Sequence, residues 1–208
     1  YRLQVITSSE ISPDGERVVF GVQRVERKTE KKYTNLWMLR LETGSAVPFT
    51  VGDHVDGKAH WSPDGGQLAF TSNRVDEKQA QLFVMPADGG EARPLTRLQG
   101  EFGEFAWSPK GTQIVCEFRK KDAEAVEREQ DEQKKKLGVV SRRYTRVFYK
   151  LDNYGYLPQE RTHLWLMDAR TGRVRQLTDS AVYDETGPAW SPDGKEVAFF
   201  SNRQPDPD

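Results

Sequence analysis

The chain has 208 residues, of which 36% are hydrophobic and 30% charged, with a mean hydropathy of -0.79. Its longest apolar runs, such as residues 197–200, fall far short of the roughly 20 residues of a membrane helix, which excludes a helical membrane protein. Thirty-one basic and 32 acidic side chains give a net charge of -1, so the overall charge favours neither nucleic acid nor an anionic membrane as partner.

The single cysteine, Cys116, excludes an intrachain disulfide framework and a multi-cysteine zinc site. It suits a reducing compartment, and we expect a cytoplasmic protein. The sequence begins at Tyr1 without a methionine, so a removed signal peptide stays open.

A turn motif recurs four times along the chain, and its serines lie at positions 12, 62, 108 and 191. In this motif proline presets φ, the acidic residue caps backbone donors and glycine adopts the positive φ of a hairpin. Each turn is followed by a short β-favouring run. The four copies are Ile11-Ser12-Pro13-Asp14-Gly15, Trp61-Ser62-Pro63-Asp64-Gly65, Trp107-Ser108-Pro109-Lys110-Gly111 and Trp190-Ser191-Pro192-Asp193-Gly194.

Further strands and turns follow the motif in the same order in each repeat. A third run contains Leu36-Trp37, Leu82-Phe83 or Leu164-Trp165, and the unit closes near Thr96 or Thr178. Four short strands in 46 to 50 residues are typical of a β-propeller blade. The residue before the turn ends a strand, and we expect it to pack between neighbouring blades. Replacement of Trp61 or Trp190 by alanine should then cost about 3–5 kcal/mol if the side chain is fully buried.

The sequence therefore predicts an all-β protein, a partial β-propeller of about three and a half four-stranded blades. We place the blades at about 5–50, 55–97, 103–178 and 184–208, the last one partial, within one domain that spans 1–208. Three and a half blades cannot form a closed ring. We therefore expect either an open arc whose edges pair with another copy, or a part of a longer protein.

The third blade carries an insertion at about 119–160, because the serines at 108 and 191 lie 83 residues apart. Its first part, 119–136, has 13 charged residues in 18 and cannot form a core. Mixed charges at three- and four-residue spacing indicate a solvated helix or a disordered loop.

The second part of the insertion, 139–157, alternates aromatic and basic residues and should pack somewhere. A strand with alternating exposed bases and buried aromatic residues is one interpretation. Nucleic-acid binding is another, although the near-neutral chain argues against it. The third is contact with a second domain or a peptide through arginine–carboxylate pairs. The candidate contact residues are Arg142, Arg143, Arg146 and Tyr154.

No other segment indicates catalysis or a cofactor. There is no Gly-x-Ser-x-Gly, no phosphate loop and no dinucleotide motif. His60 and His163 are interpreted as strand residues with satisfied hydrogen bonds. The stretch 53–60 could suggest a metal, but comparable inter-blade stretches lack the histidines, which favours a solvated loop. Arg74 and Arg203 recur after equivalent strands, which favours a role in building the blade over ligand contact.

The repeats, the Leu-Trp third strand, the charged insertion and the ending Asn202-Arg203-Gln204-Pro205-Asp206-Pro207-Asp208 resemble the N-terminal propeller of acylaminoacyl peptidases, in the prolyl oligopeptidase family of serine peptidases. The resemblance implies a propeller that caps an α/β-hydrolase domain and admits only short peptides. That hydrolase domain is absent from these 208 residues, so no catalytic residue is carried over.

Two functions follow from this resemblance. The chain is either the non-catalytic propeller region of such a peptidase, an access filter and docking surface, or a TolB-like protein-interaction propeller without an enzymatic role. The implied partners are the hydrolase domain and a short peptide, with self-association through open blade edges as a further form of contact.

Overall fold

The structure is a computed structural model that describes residues 4–138, 144, 149–152 and 155–204. In this part of the chain, short antiparallel strands form three four-stranded sheets and two hairpins. The first sheet contains β1 (Gln4–Ile11), β2 (Arg17–Val25), β3 (Lys32–Arg40) and β4 (Ser45–Pro48), and the second contains β5 (Asp56–Trp61), β6 (Gln67–Ser72), β7 (Gln81–Pro86) and β8 (Arg93–Pro94).

The third sheet is interrupted by the insertion. It contains β9 (Gly100–Trp107), β10 (Gln113–Lys120), β13 (Thr162–Asp168) and β14 (Val174–Gln176). The insertion contributes α1 (Ala123–Gln130), α2 (Glu132–Leu137) and a hairpin of β11 (Lys150–Leu151) and β12 (Gly155–Tyr156). The chain continues into a hairpin of β15 (Glu185–Trp190) and β16 (Val197–Ser201).

This arrangement confirms the predicted partial propeller. Each sheet is an up-and-down antiparallel unit, and the first strands β1, β5, β9 and β15 contact one another in chain order. In a propeller these are the innermost strands, next to the central axis. Among the described residues the sheets do not close on themselves, as the repeat count predicted.

The Ser-Pro-Asp-Gly turn is held by the same hydrogen bonds in the first, second and fourth repeats. In the second blade, Ser62 Oγ donates to Asp64 Oδ1 at 2.5 Å and accepts the backbone N–H of Gln67 at 2.9 Å, and the Gly65 N–H donates to the Ser62 carbonyl at 2.8 Å. Gly65 has a φ of 68°, in the left-handed region that glycine adopts without strain. The third blade has Lys110 in place of the aspartate and forms the remaining bonds through Ser108.

We predict that these turns make stability depend on acid pH. The serine hydroxyl, and then a backbone N–H, hold the pKa of Asp14, Asp64 and Asp193 below the ordinary aspartate value. A carboxylate whose pKa is lower in the folded state stabilises the protein above its unfolded pKa, about 4, and loses that contribution as the pH falls through the folded pKa. Replacing all three by asparagine should therefore reduce the fall in thermal midpoint between pH 5 and pH 3.

The third blade provides the control for this prediction, because Lys110 stands where the other turns have aspartate. Lys110→Asn should leave the acid response unchanged. An equal fall in midpoint for the parent chain and the triple asparagine variant would contradict a role of these carboxylates.

Tryptophans join neighbouring blades through a repeated hydrogen bond. The indole N–H of Trp61 donates to the Glu10 carbonyl at 3.3 Å, that of Trp107 to the His60 carbonyl at 3.1 Å, and that of Trp190 to the Ala106 carbonyl at 3.1 Å. Trp61 and Trp107 are buried, and Trp190 is half-buried. The predicted packing between blades is thus present at all three positions, with full burial at two.

The core lies between the blades because side chains alternate along each strand. In β6, Leu68 and Phe70 pack towards the first blade, against residues that include Val19 and Leu36, whereas Ala69 packs towards the third blade beside Trp107. All three β6 residues are fully buried. Because this sheet is covered on both faces, β6 has a continuous apolar run at residues 68–70.

The described part of the insertion is anchored at its base. Both carboxylate oxygens of Asp122 accept backbone N–H groups at the far end of the insertion, from Gln159 at 3.0 and 3.2 Å, and Oδ1 also accepts that of Glu160 at 3.0 Å. Helices α1 and α2 have no buried residue, so of the two states that the charges left open, a solvated helix or a disordered loop, the structure has the helix.

Candidate functional site

Ionisable residues gather on the first strands of the first three blades, at the positions one and three residues before the end of the strand. They are Glu10 on β1, Lys58 and His60 on β5, and Glu104 on β9, and we call them the inner-strand charge cluster. The same positions of β15 hold Gly187 and Ala189. The propeller therefore has a charged inner side along blades one to three that ends at blade four.

The cluster is ordered by two cross-blade pairs. His60 Nδ1 lies 2.8 Å from Glu10 Oε2, and Lys58 Nζ donates to Glu104 Oε1 at 2.8 Å. Each pair joins equivalent positions of neighbouring strands. The His60 ring also meets the edge of the Phe105 ring, with the centroids 4.7 Å apart. These contacts confirm the prediction that His60 is a strand residue with satisfied hydrogen bonds.

A cleft of about 710 Å³ opens between β1 and β5 beside this cluster. The side chains of Glu10, Lys58 and His60 are between 33 and 39% exposed, and that of Glu104 is 61% exposed. Because these side chains are partly exposed, a ligand in the cleft can replace either member of a pair as the hydrogen-bond partner of the other. Around them the cleft is lined by hydroxyl and amide side chains, those of Thr7, Ser8, Ser9, Gln23 and Thr34. This lining offers hydrogen-bonding and charged groups to a ligand.

Lys58 has an unusual backbone conformation. Its φ is 49°, and it lies at the register shift of β5 between Gly57 and His60. The equivalent position of β15 is Gly187, with a φ of 64°. At the β5 bulge the lysine thus adopts a left-handed conformation, which costs about 1–2 kcal/mol relative to an unstrained backbone. A non-glycine residue in this conformation is uncommon, which makes Lys58 a candidate functional residue.

We predict that Lys58→Gly is more stable than Lys58→Ala by about 0.5–1 kcal/mol in urea unfolding. Both variants lose the exposed pair with Glu104, which contributes at most about 1 kcal/mol, but only glycine relieves the strain at positive φ, partly offset by its larger unfolded-state entropy. Alanine as stable as glycine would contradict a strained backbone at this position.

A second polar cluster lies at the start of β5. Arg74 Nη2 donates to both carboxylate oxygens of Asp56, at 3.0 and 3.1 Å, and Arg74 Nε donates to Ser72 Oγ at 3.0 Å. The Asp56 side chain is fully buried. The guanidinium lies over the Phe70 and Phe83 rings, 5.2 and 5.0 Å from their centroids. Arg74 therefore builds the blade, as its recurrence in the sequence suggested.

The residues of the stretch 53–60 pair with different neighbours. Asp53 binds Arg24 at 2.5 Å, while Asp56 and His60 bind Arg74 and Glu10 as described. In the described part of the chain, no group of three or more histidine, cysteine, aspartate or glutamate residues is placed to hold a metal ion.

A buried pair joins the third and fourth blades. His163 Nδ1 lies 2.8 Å from Glu185 Oε2, and both side chains are more than nine-tenths buried. Glu117 Oε1 accepts the Gly187 N–H at 2.7 Å across the same boundary. His163 is thus also a strand residue with a hydrogen-bond partner, as predicted.

The four contact residues predicted in the insertion, Arg142, Arg143, Arg146 and Tyr154, lie outside the described residues. Among the residues of the insertion that the structure describes, three tyrosine rings are grouped, and the Tyr144 centroid lies 5.1 Å from that of Tyr149 and 5.6 Å from that of Tyr156. Tyr149 and Tyr156 are exposed.

The inner-strand charge cluster was missed by sequence reasoning. The signal that could have found it is spacing: Glu10, His60, Lys58 and Glu104 stand one or three residues before Ile11, Trp61 or Trp107. Charged residues at these positions break the repeat, because the fourth copy has glycine and alanine there.

The chain matches a known family of propeller domains. Residues 4–145 match the profile of the TolB beta propeller domain. The chain belongs to the TolB β-propeller domain family. One relative of this TolB-family propeller is an uncharacterized peptidase of Bacillus subtilis (strain 168), YuxL, which is 33% identical over 197 residues. That match covers 95% of this chain and 29% of YuxL, so the chain spans less than a third of the relative.

Solved structures show the same fold. An acylaminoacyl peptidase in complex with Z-Gly-Gly-Phe-chloromethyl ketone superposes with a TM-score of 0.70 at 18% identity, over 94% of this chain and 28% of that protein. The acylaminoacyl peptidase of Pyrococcus horikoshii gives 0.70 at 16% identity, over 95% and 28%. A putative TolB from Agrobacterium tumefaciens gives 0.55 at 20% identity, over 93% and 59%. The resemblance to acylaminoacyl peptidase propellers is therefore confirmed in the fold.

In the described part of this TolB-family propeller, the helices are too short and too polar to cross a membrane.

Proposed function

We propose that this chain is the non-catalytic propeller region of a serine peptidase, and that it filters substrate access and docks an α/β-hydrolase domain of the same protein. The observation that carries the proposal is the match to YuxL, a peptidase by its name, over 95% of this chain but 29% of the relative. The remaining length of such a relative is more than enough for a hydrolase domain. The similarity of fold to acylaminoacyl peptidases supports the same assignment.

The inner-strand charge cluster supports the filter role. A substrate that approaches along the inner strands meets both signs of charge within one cleft, at Glu10, Lys58 and Glu104, beside the His60 imidazole. Short peptides carry charged termini and backbone groups that such a lining can bind, whereas a folded protein is too large for a cleft of about 710 Å³. The substrates in this proposal are short peptides, either acylated or free at the N-terminus.

The insertion is the proposed contact with the hydrolase domain or with a peptide. Arg142, Arg143, Arg146 and Tyr154 are the candidate residues, and the supporting observation is their alternation with aromatic residues in the sequence. Arginine forms bidentate pairs with carboxylates, so it suits an acidic surface or a peptide carboxylate.

Two activity assays and the downstream coding sequence test the peptidase assignment. The 208-residue chain alone should hydrolyse no acyl-amino-acid or short-peptide chromogen. The full-length protein should hydrolyse them and lose this activity with a serine-directed reagent, and the coding sequence after Asp208 should contain Gly-x-Ser-x-Gly followed by aspartate and histidine. Serine-reagent-sensitive turnover by the chain alone would contradict the proposal.

A TolB-like interaction propeller without an enzymatic role is the second candidate. It is favoured by the family match itself and by the likeness to a putative TolB. The same sequence test separates the two, because this candidate requires the reading frame to stop after a few further blades with no hydrolase motif.

We also propose a cytoplasmic location. Cys116 is fully buried, and burial raises the pKa of its thiol, so the thiol is protected from oxidation and needs no disulfide partner. Fractionation of cells followed by detection with an antibody against the chain tests the location.

A further inference from the structure

A cleft of about 300 Å³ lies at the boundary between the second and third blades, at the base of the insertion. It is bounded by the β6–β7 loop, the start of β9, the end of β10 and the first turn of α1. Four basic side chains but only two acidic ones line it, which gives it a formal charge of +2 in a chain whose net charge is -1. The basic residues are Lys78, Arg119, Lys120 and Lys121, and the acidic ones are Glu101 and Asp122. We call it the lysine cleft.

Both carboxylates of the lysine cleft already have partners. Asp122 accepts backbone N–H groups at the far end of the insertion, and Glu101 pairs with Arg119. The ammonium of Lys121 is also paired, because its Nζ donates to Glu129 of α1 at 2.6 Å. These contacts balance two of the four cations. The positive charge of the cleft therefore rests on the two remaining lysines.

Lys78 and Lys120 form no ion pair with any residue that the structure describes. Glu77, next to Lys78 in the sequence, pairs with Lys31 of the first blade. Lys120 Nζ lies 5.1 Å from the centroid of the Trp165 ring, whose buried indole N–H lacks a hydrogen-bond partner in the described part of the chain. Two exposed cations from neighbouring blades thus line one cleft, beside a donor without an acceptor.

This arrangement favours an anion with more than one charge. Like charges that line the same cleft repel each other, and the protein walls focus their field on the space between them. A single carboxylate would balance only one of the two lysines. A phosphate monoester carries about −1.5 to −2 charges at pH 7 and offers three acceptor oxygens. Lysine binds phosphate as a compact point charge, without the fixed geometry that arginine needs.

We propose that the lysine cleft binds a phosphate monoester, with Lys78 and Lys120 as its counterions. The phosphate belongs either to a small phosphorylated molecule or to a phosphorylated side chain of a peptide, and the chemistry of recognition is the same in both cases. The cleft shares no lining residue with the cleft beside the inner-strand charge cluster. The inference does not depend on the proposed peptidase function.

Inorganic phosphate is the first probe. Titrated into the ¹⁵N-labelled 208-residue chain at constant ionic strength and about pH 7.5, where it is mainly a dianion, it should shift the amide resonances of Lys78, Gln79, Gly100, Lys120 and Lys121 until they saturate. The peptide acetyl-Gly-phosphoserine-Gly-amide distinguishes the two sources. Tighter binding of this peptide than of inorganic phosphate indicates a phosphorylated side chain, and equal or weaker binding indicates a small phosphorylated molecule.

Lys78→Gln and Lys120→Gln test the two counterions. Each should weaken phosphate binding at least about threefold, and the double variant should show no saturable shift. Both side chains are exposed, so the circular dichroism spectra should be unchanged. Lys110→Gln, which removes an exposed lysine from the turn between β9 and β10, is the matched control and should bind phosphate as the parent chain does.

Three results would overturn the proposal. The first is the absence of saturable shifts at the amides of the lysine cleft. The second is equal weakening by Lys110→Gln and Lys78→Gln, which would show that phosphate responds only to the overall charge of the chain. The third is binding of acetyl-Gly-Glu-Gly-amide as tight as that of the phosphoserine peptide, which would show that the cleft does not prefer phosphate to a carboxylate.

Discussion

Trp61→Ala is expected to lower the free energy of unfolding by about 3–5 kcal/mol in urea denaturation. Trp61 is 5% exposed and packs in the core between the first and second blades. Its indole N–H bonds to Glu10 of the preceding blade, and Arg17 lies over its ring at 4.8 Å. The substitution therefore leaves a cavity at a blade boundary, removes a hydrogen bond and exposes the stacked guanidinium.

Trp190→Ala is the matched control, because Trp190 occupies the same position in the fourth blade and makes the same type of hydrogen bond, to Ala106. Its ring is only half-buried, so less apolar area is lost and the decrease should be clearly smaller. Trp61→Phe should recover most of the loss, since it keeps a buried aromatic ring. Equal losses at Trp61 and Trp190 would mean that burial between blades does not set the effect.

Arg74→Met should destabilise the chain by about 3–5 kcal/mol at neutral pH. The Asp56 side chain is fully buried, and Arg74 binds both of its carboxylate oxygens. Without the guanidinium, a buried charge has no counterion, and its desolvation is no longer offset. Guanidinium chloride unfolding monitored by tryptophan fluorescence measures the change.

Two comparisons define the origin of this effect. Arg24 occupies the position of Arg74 in the first blade, but its pair with Asp53 is exposed, with side-chain exposures of 35% and 72%. Arg24→Met should therefore cost at most about 1 kcal/mol. Combining Asp56→Leu with Arg74→Met should restore part of the stability, because the uncompensated charge is removed. A double variant no more stable than Arg74→Met would argue against the buried carboxylate as the cause.

Much of the fold was predictable because a blade is a local unit. The turn motif requires proline, a capping oxygen and a glycine at fixed positions, and the structure forms the corresponding hydrogen bonds within six residues. The insertion was also predictable, since 13 charged residues in 18 cannot be buried. The role of Asp122 was not: its carboxylate accepts N–H groups of Gln159 and Glu160, whose proximity depends on how the whole insertion returns to the blade.

The sequence by itself determined the repeat, the strands, their turns and the incomplete set of blades, because these follow from spacing and backbone preferences that act over a few residues. Only the tertiary structure decided that Glu10 meets His60 and that Lys58 meets Glu104, residues about 50 positions apart. The reason is geometric. Register shifts in β1, β5 and β9, between Ile6 and Ser8, Gly57 and His60, and opposite Cys116 and Phe118, change which side chains face the neighbouring blade. No local sequence pattern predicts how two blades pack against each other, and the candidate site lies at the boundaries between blades.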